Sequence, residues 1–186
     1  PLTADTAGCF ARTRRTAQSW SSPAGFARGR ILGVVRLQQS VNSSASDILY
    51  NENINPVRTF PGEGTFLFGD KSRRQPSESA SYAHINVTSL VVYLRQIVGD
   101  ISRNVLFEIN DSSTRNSFIN MTQPVLRTLL GSGGITEYNL ICDTTNNTTT
   151  IIENNKFVAD IYIKPSKSIQ TIQLHFVTAL SSDNIT

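Results

Sequence analysis

A chain of 186 residues that is 39% hydrophobic and 17% charged can bury a real core, which excludes disorder as a general state and suits one domain or one and a half. With 17 basic against 14 acidic residues the net charge is only +3. No apolar run approaches a membrane span, so direct membrane insertion is not expected. The basic residues gather early, at Arg12, Arg14, Arg15, Arg28, Arg30 and Arg36, without aromatic interleaving or a nucleic-acid motif beside them. A solvated face or an acidic protein partner explains them better than nucleic acid. The sequence starts at Pro1 without a signal-peptide layout, and reads as a processed product or the C-terminal part of something longer. Cys9 and Cys142 lie far apart and read as unpaired, buried thiols of a reducing compartment.

In chain order, Thr3 to Ala17 predicts a helix with Ala7, Phe10 and Ala11 on its apolar stripe. Ser21 to Gly25 is a turn, and Ile31 to Leu37 a strand. Ser46 and Asp47 are candidate caps of a short helix that ends before Asn55-Pro56. Val57–Phe60 and Thr65–Phe68 read as two strands joined through Pro61-Gly62-Glu63-Gly64. Lys71 to Ser81 is polar and reads as a surface loop. From Ile85 the period changes: Val87, Leu90, Val91, Leu94, Ile97, Val98 and Ile101 follow helical spacing, with Asn86 as cap. Val105–Ile109 reads as a short buried strand. A second long helix follows, capped by Asp111 or Ser112, with Phe118, Met121, Val125 and Leu129 inward and a kink or break at Pro124. Gly131-Ser-Gly-Gly134 stops it. Thr136–Cys142 alternates as a strand, and Asp143–Thr150 is a polar loop.

Two strands close the chain. In Lys156–Pro165, Phe157, Ala159, Ile161 and Ile163 share a face. In Thr171–Leu180, Ile172, Leu174, Phe176, Thr178 and Leu180 oppose Gln173, His175 and Val177. A terminal strand with a polar tail either completes its own domain's sheet or reaches into a neighbour's. The expected class is α+β: helices packed on a mixed β-sheet, an α/β sandwich, with an N-terminal lobe of helix and short strands. Residues 1–70 form that lobe, 71–83 a surface loop, and 84–186 the C-terminal α/β domain.

No catalytic constellation emerges. Gly64–Ser72 resembles a phosphate loop, but Asp70 would repel phosphate and Phe66-Leu67-Phe68 suits a strand. Asp143–Glu153 lacks the turn glycine and the glutamate spacing of a calcium loop. His84 and His175 have no sequence-near cysteine or second histidine, which argues against zinc. No enzyme activity, cofactor or metal is expected.

Several stretches together resemble the contractile tail sheath proteins of long-tailed bacteriophages. They are Ile54–Lys71 (INPVRTFPGEGTFLFGDK), His84-Ile-Asn-Val87, Leu106–Asp111 (LFEIND), Phe118-Ile-Asn-Met121 and Phe157–Ile169 (FVADIYIKPSKSI) with Thr171–Val177. The resemblance covers almost the whole chain. It implies a structural subunit polymerising as stacked hexameric rings around a tail tube and contracting to drive that tube through the host envelope. Partners so implied are further copies of the chain, the tail tube protein, and baseplate and tail terminator proteins, in a virion tail assembled in the bacterial host cytoplasm. Sheath subunits exchange terminal strands. The resemblance therefore points to Thr171, Ile172, Gln173, Leu174, His175, Phe176, Val177 and Thr178 as an inter-subunit strand, against the alternative of packing within their own domain. The family's C-terminal domain faces the tube, which suggests Arg95, Arg115 and Arg127 on the polar helix faces as tube contacts. A sheath-like or tail-terminator component of another contractile injection system, such as type VI secretion, is the competing reading.

Overall fold

The computed structural model describes residues 2–34, 36–72, 80–169 and 172. The first helix, α1 (Thr3–Thr16), docks through polar anchors and not through its predicted stripe. Ala7 and Ala11 are exposed and Phe10 is half-buried, whereas Cys9 and Thr13 are buried. The reason is backbone satisfaction: Arg12 Nη2 donates to the carbonyls of Arg28 and Arg30, and Cys9 Sγ lies 3.5 Å from the Arg30 carbonyl.

Those carbonyls lead into a three-stranded antiparallel sheet of order β1-β3-β2, made of β1 (Arg30–Ile31), β2 (Val57–Phe60) and β3 (Gly64–Leu67). The predicted strand over residues 31–37 is only two residues long, because Gly33 turns the chain at φ +90°. The hairpin is as expected. Pro61 and Gly62 occupy the centre of its turn, Gly62 at φ +80°, and Glu63 N–H donates to the Phe60 carbonyl at 3.1 Å. The helix α2 (Ser43–Asn51) is capped by Asn42, whose Oδ1 accepts from Ala45 N–H at 2.8 Å; Ser46 lies inside the helix and is buried.

The C-terminal domain packs α3 (Ile85–Ser102) and α4 (Ser112–Gly131) on the strands β4 (Ile135–Ile141) and β5 (Asp160–Pro165). Leu90, Leu94, Leu126, Leu129 and Ile135 form its buried centre, with Tyr138, Leu140, Ile161 and Ile163 closing from the sheet side. The inward side of α4 is Arg115, Phe118, Thr122, Leu126 and Leu129, so Met121 and Val125 sit at its margin. Pro124 does not split this helix. Asp111 caps it, accepting from Thr114 N–H at 2.8 Å. Gly133, at φ +72°, ends it, and Gly134 lies so close to Trp20 that an added Cβ would stand 2.8 Å from the indole.

Three expectations fail here. The position before α3 is His84, not Asn86, and Asn86 instead donates to the Ser166 carbonyl at 3.2 Å. The polar loop after β4 contains a one-turn helix, α5 (Thr149–Glu153). Val105–Ile109 is no strand: among the described residues it has no sheet partner, Val105 closes a 3-10 turn after α3, and Leu106–Ile109 form an exposed connection to α4. Every pairing among the described residues is antiparallel, and the α+β class holds.

Asp70 joins the two halves of the chain. Its carboxylate is buried and accepts from Ser168 Oγ at 2.7 Å and Tyr50 Oη at 3.3 Å, with His84 Nδ1 at 3.6 Å. Its backbone carbonyl accepts from Ile85 N–H at 2.7 Å. Next to it, Lys71 Nζ donates to the Tyr50 carbonyl at 2.7 Å and lies 4.1 Å from that ring's centroid. Burial, the Asp70 charge and its hydrogen bond push the Tyr50 phenol up to about 12. The chain at Ser168 is therefore moored to α2 and to the residue before α3.

Leu126→Ala, at a fully buried position, should cost about 2–5 kcal/mol in urea unfolding. Asp70→Asn should speed tryptic cleavage after the exposed Lys167 and lower the Tyr50 phenol in an absorbance titration, with helix content unchanged. The Asp111 carboxyl is held below its usual range, chiefly by the Thr114 N–H. Its stabilisation is therefore present above about pH 4 and lost as pH falls through the folded value. Asp111→Ala should lower the melting temperature at pH 7, and the difference from the parent should shrink on acidification.

Candidate functional site

A sheet of two strands leaves backbone donors and acceptors unpaired along both outer edges. The strands β4 and β5 pair in register from Ile135↔Pro165 to Ile141↔Asp160, with an irregularity between Ile135 and Glu137. Among the described residues neither strand has a second partner. Alternation sets what each strand shows: Tyr138, Leu140, Ile161 and Ile163 pack inward, while Tyr162 is exposed.

Beside β5 lies an apolar groove of about 390 Å³, floored by Val91, Leu94 and Val98 of α3 and walled by Ile161 and Ile163. Tyr82 and Arg95 complete its lining. The groove exists because α3 carries apolar residues over more of its circumference than the core uses: Val87, Leu90 and Leu94 are buried, whereas Val91 and Val98 remain half-covered. An edge with free hydrogen-bonding groups above an apolar trough is the arrangement that accepts an extended segment with alternating side chains.

The predicted site residues distribute unevenly around this edge. Thr171, Gln173, Leu174, His175, Phe176, Val177 and Thr178 lie outside the described residues; Ile172 is exposed. Arg95 is exposed on the groove's rim and Arg127 is exposed on α4. Arg115 does not lie on a polar face. It is only 8% exposed, and its Nη1 donates to Asn110 Oδ1 at 2.8 Å and the Asn110 carbonyl at 3.1 Å. That cation is spent on fixing the turn before α4. The groove residues were visible in sequence as part of the α3 stripe and the inward face of β5, but their surplus over core needs was not.

The Ser168 hydroxyl donates to the Asp70 carboxylate and so ties the end of the described chain to it. Among the described residues no group of three His, Cys, Asp or Glu side chains could hold a metal ion, and no helix is long and apolar enough to cross a membrane. Cys9 and Cys142 are buried free thiols.

The family model of the phage tail sheath C-terminal domain matches residues 77–178. The tail sheath protein of Enterobacteria phage T4 is 45% identical over 184 residues, 98% of this chain and 28% of the relative. The tail sheath protein of Vibrio phage KVP40 is 43% identical over 183 residues, 98% of this chain and 27% of the relative. The chain thus spans little more than a quarter of these relatives' length. Among solved structures, a chain of the anti-feeding prophage baseplate superposes with a TM-score of 0.87 at 19% identity, covering 97% of this chain and 51% of that one. A chain of an extracellular contractile injection system, the PVC sheath complex in the contracted state, gives 0.85 at 18% identity, covering 98% and 52%. At such identities the superpositions speak to the fold alone. The domain match and the close relatives speak to descent: this chain belongs to the phage tail sheath family.

Proposed function

We propose that this chain is the conserved C-terminal part of a contractile phage tail sheath subunit. The observation that carries the reading is the 45% identity to the T4 tail sheath protein across 98% of the chain. In this reading subunits form hexameric rings stacked helically around the tail tube, and contraction of the stack drives the tube through the host envelope. The role is mechanical and not catalytic. Its place is the virion tail, assembled in the bacterial host cytoplasm, with the tail tube, baseplate and tail terminator proteins as partners.

Within that role the chain divides at the loop over residues 71–83, into an N-terminal lobe of residues 1–70 and a C-terminal domain of residues 84–186. The domain match beginning at residue 77 supports the division. The open edge of β5 is the receptor and the run over residues 171–180 of another copy, with its exchange residues 171–178, is the donated strand. Three features support this pairing: the free edge, the apolar groove beside it, and the period-2 face of Ile172, Leu174, Phe176 and Thr178. Main-chain bonds across such a junction survive a rigid-body rotation of subunits, while side-chain contacts elsewhere are remade. A heterologous contact that does not close on itself yields a helical assembly. Arg95 and Arg127 are exposed cations suited to an acidic tube surface.

A second reading, a sheath-like or tail-terminator component of another contractile injection system, is favoured only by the low-identity superpositions on the anti-feeding prophage and PVC assemblies. The far higher identity to phage sheaths outweighs it.

Electron microscopy of the full-length protein and of a version ending before Ile169 tests this function. Ringed tubes from the first and folded, unassembled subunits from the second are expected. Equal polymerisation of both would remove the donated strand from the account, and folded monomers from both would remove self-assembly.

A further inference from the structure

The connection between α3 and α4 is the most apolar exposed segment described: Leu106 is 61% exposed, Phe107 98% and Ile109 79%. Lone exposed apolar residues need no explanation, but three within four positions do. Phe107 also holds φ +70°, a left-handed conformation that a bulky L residue seldom adopts.

The base of this loop is built to hold that shape. Asn110 accepts from the buried Arg115 at Oδ1 and at its carbonyl. Its Nδ2 donates to the Lys156 carbonyl at 2.9 Å and to Asn147 Oδ1 at 3.1 Å. Asn147, itself buried, brackets Val158 by donating to its carbonyl at 2.7 Å and accepting from its N–H at 2.9 Å. The loop is thereby fixed to the segment that enters β5, at the Asp160 end of the open edge. A rigid base under an exposed Phe is the construction of a contact residue, because little order remains to be gained on binding.

We infer that the Leu106–Ile109 loop is the second half of the strand receptor, and that it covers the end of the strand donated by another copy of this chain. The inference rests on the strand donation proposed above. Two arguments select that occupant. The first is length: β5 has six residues, roughly 20 Å, whereas the donor run of residues 171–180 extends roughly 33 Å. About four donor residues must therefore overhang β5. The second is continuity. Val91 and Val98 floor the groove, and Val105, in the 3-10 turn over Arg103–Val105 that follows α3, leads from that helix into the loop; all three are half-buried. An antiparallel donor, the sense of every described pairing, places residues 177–180 at the Asp160 end, where Phe107 stands.

The test uses the full-length protein. Phe107→Ser should fold like the parent, since its side chain is 98% exposed, and should raise the critical concentration for tube formation about tenfold or more. Phe107→Cys combined with Thr178→Cys should give a disulfide-linked ladder of subunits in assembled tubes, and Phe107→Cys alone should give none. Tubes of the double-cysteine protein that run as monomers overturn the contact while leaving strand donation standing. So does Phe107→Ser protein that polymerises like the parent, including the case in which it loses attachment to the inner tube, which would reassign the loop to the tube. Failure of the unmodified protein to form tubes overturns strand donation, and this contact with it.

Discussion

Backbone hydrogen bonding that a two-stranded sheet cannot complete is the constraint on which the C-terminal domain depends. Among the described residues β4 and β5 pair only with each other, and α3 and α4 pack on the sheet's inner face. Such a ribbon is marginal in water unless further strands or helices support it. Here α3 and α4 supply the support through Leu90, Leu94, Leu126, Leu129 and Ile135. Among the described residues the sheet is thus packed on its inner face while its outer edges have no partner strand. Openness is usually a hazard, blunted by charge or proline. On β5 the only such features are Lys164, Asp160 and the terminal Pro165, and the groove beside it is apolar.

A donated strand is useful only if its root is fixed. The Asp70 carboxylate provides that fixing point, because Ser168, Tyr50 and His84 come from three separate parts of the chain and meet on one buried group. A buried carboxylate is tolerated when its lone pairs are taken up. The mooring lies three residues before the proposed donor run, so in that proposal pull on the arm would pass to α2 and the start of α3 and not to β5 alone. Asn86, donating to the Ser166 carbonyl, adds a second tie two residues earlier.

Much of this was readable from residues, and the failures share a cause. The turn at Pro61-Gly62, the cap at Asp111, the stop at Gly133 and the two long helices all follow from local stereochemistry, which sequence encodes directly. Expectations failed where a polar group took a buried place. Arg115 and Thr122 rotate the inward face of α4 away from Met121 and Val125, and Cys9 and Thr13 displace Ala7 and Ala11 on α1. Hydrophobic periodicity cannot register a cation buried for its hydrogen bonds. Val105–Ile109 failed differently: an apolar run reads as a buried strand, but Leu106, Phe107 and Ile109 of this one are exposed. The groove was hidden for the same reason, since Val91 and Val98 look like ordinary core residues until α3 is seen to have more apolar surface than its own sheet can cover.

Amide hydrogen exchange across Asp160–Pro165, compared between dispersed subunits and assembled tubes, tests the open edge most directly. In a two-stranded pair only alternate amides of β5 bond to β4. The account predicts that the remaining amides exchange rapidly in the dispersed subunit and become strongly protected in tubes, with no comparable change in α4. Outward amides of β5 that exchange equally fast in both states would contradict it.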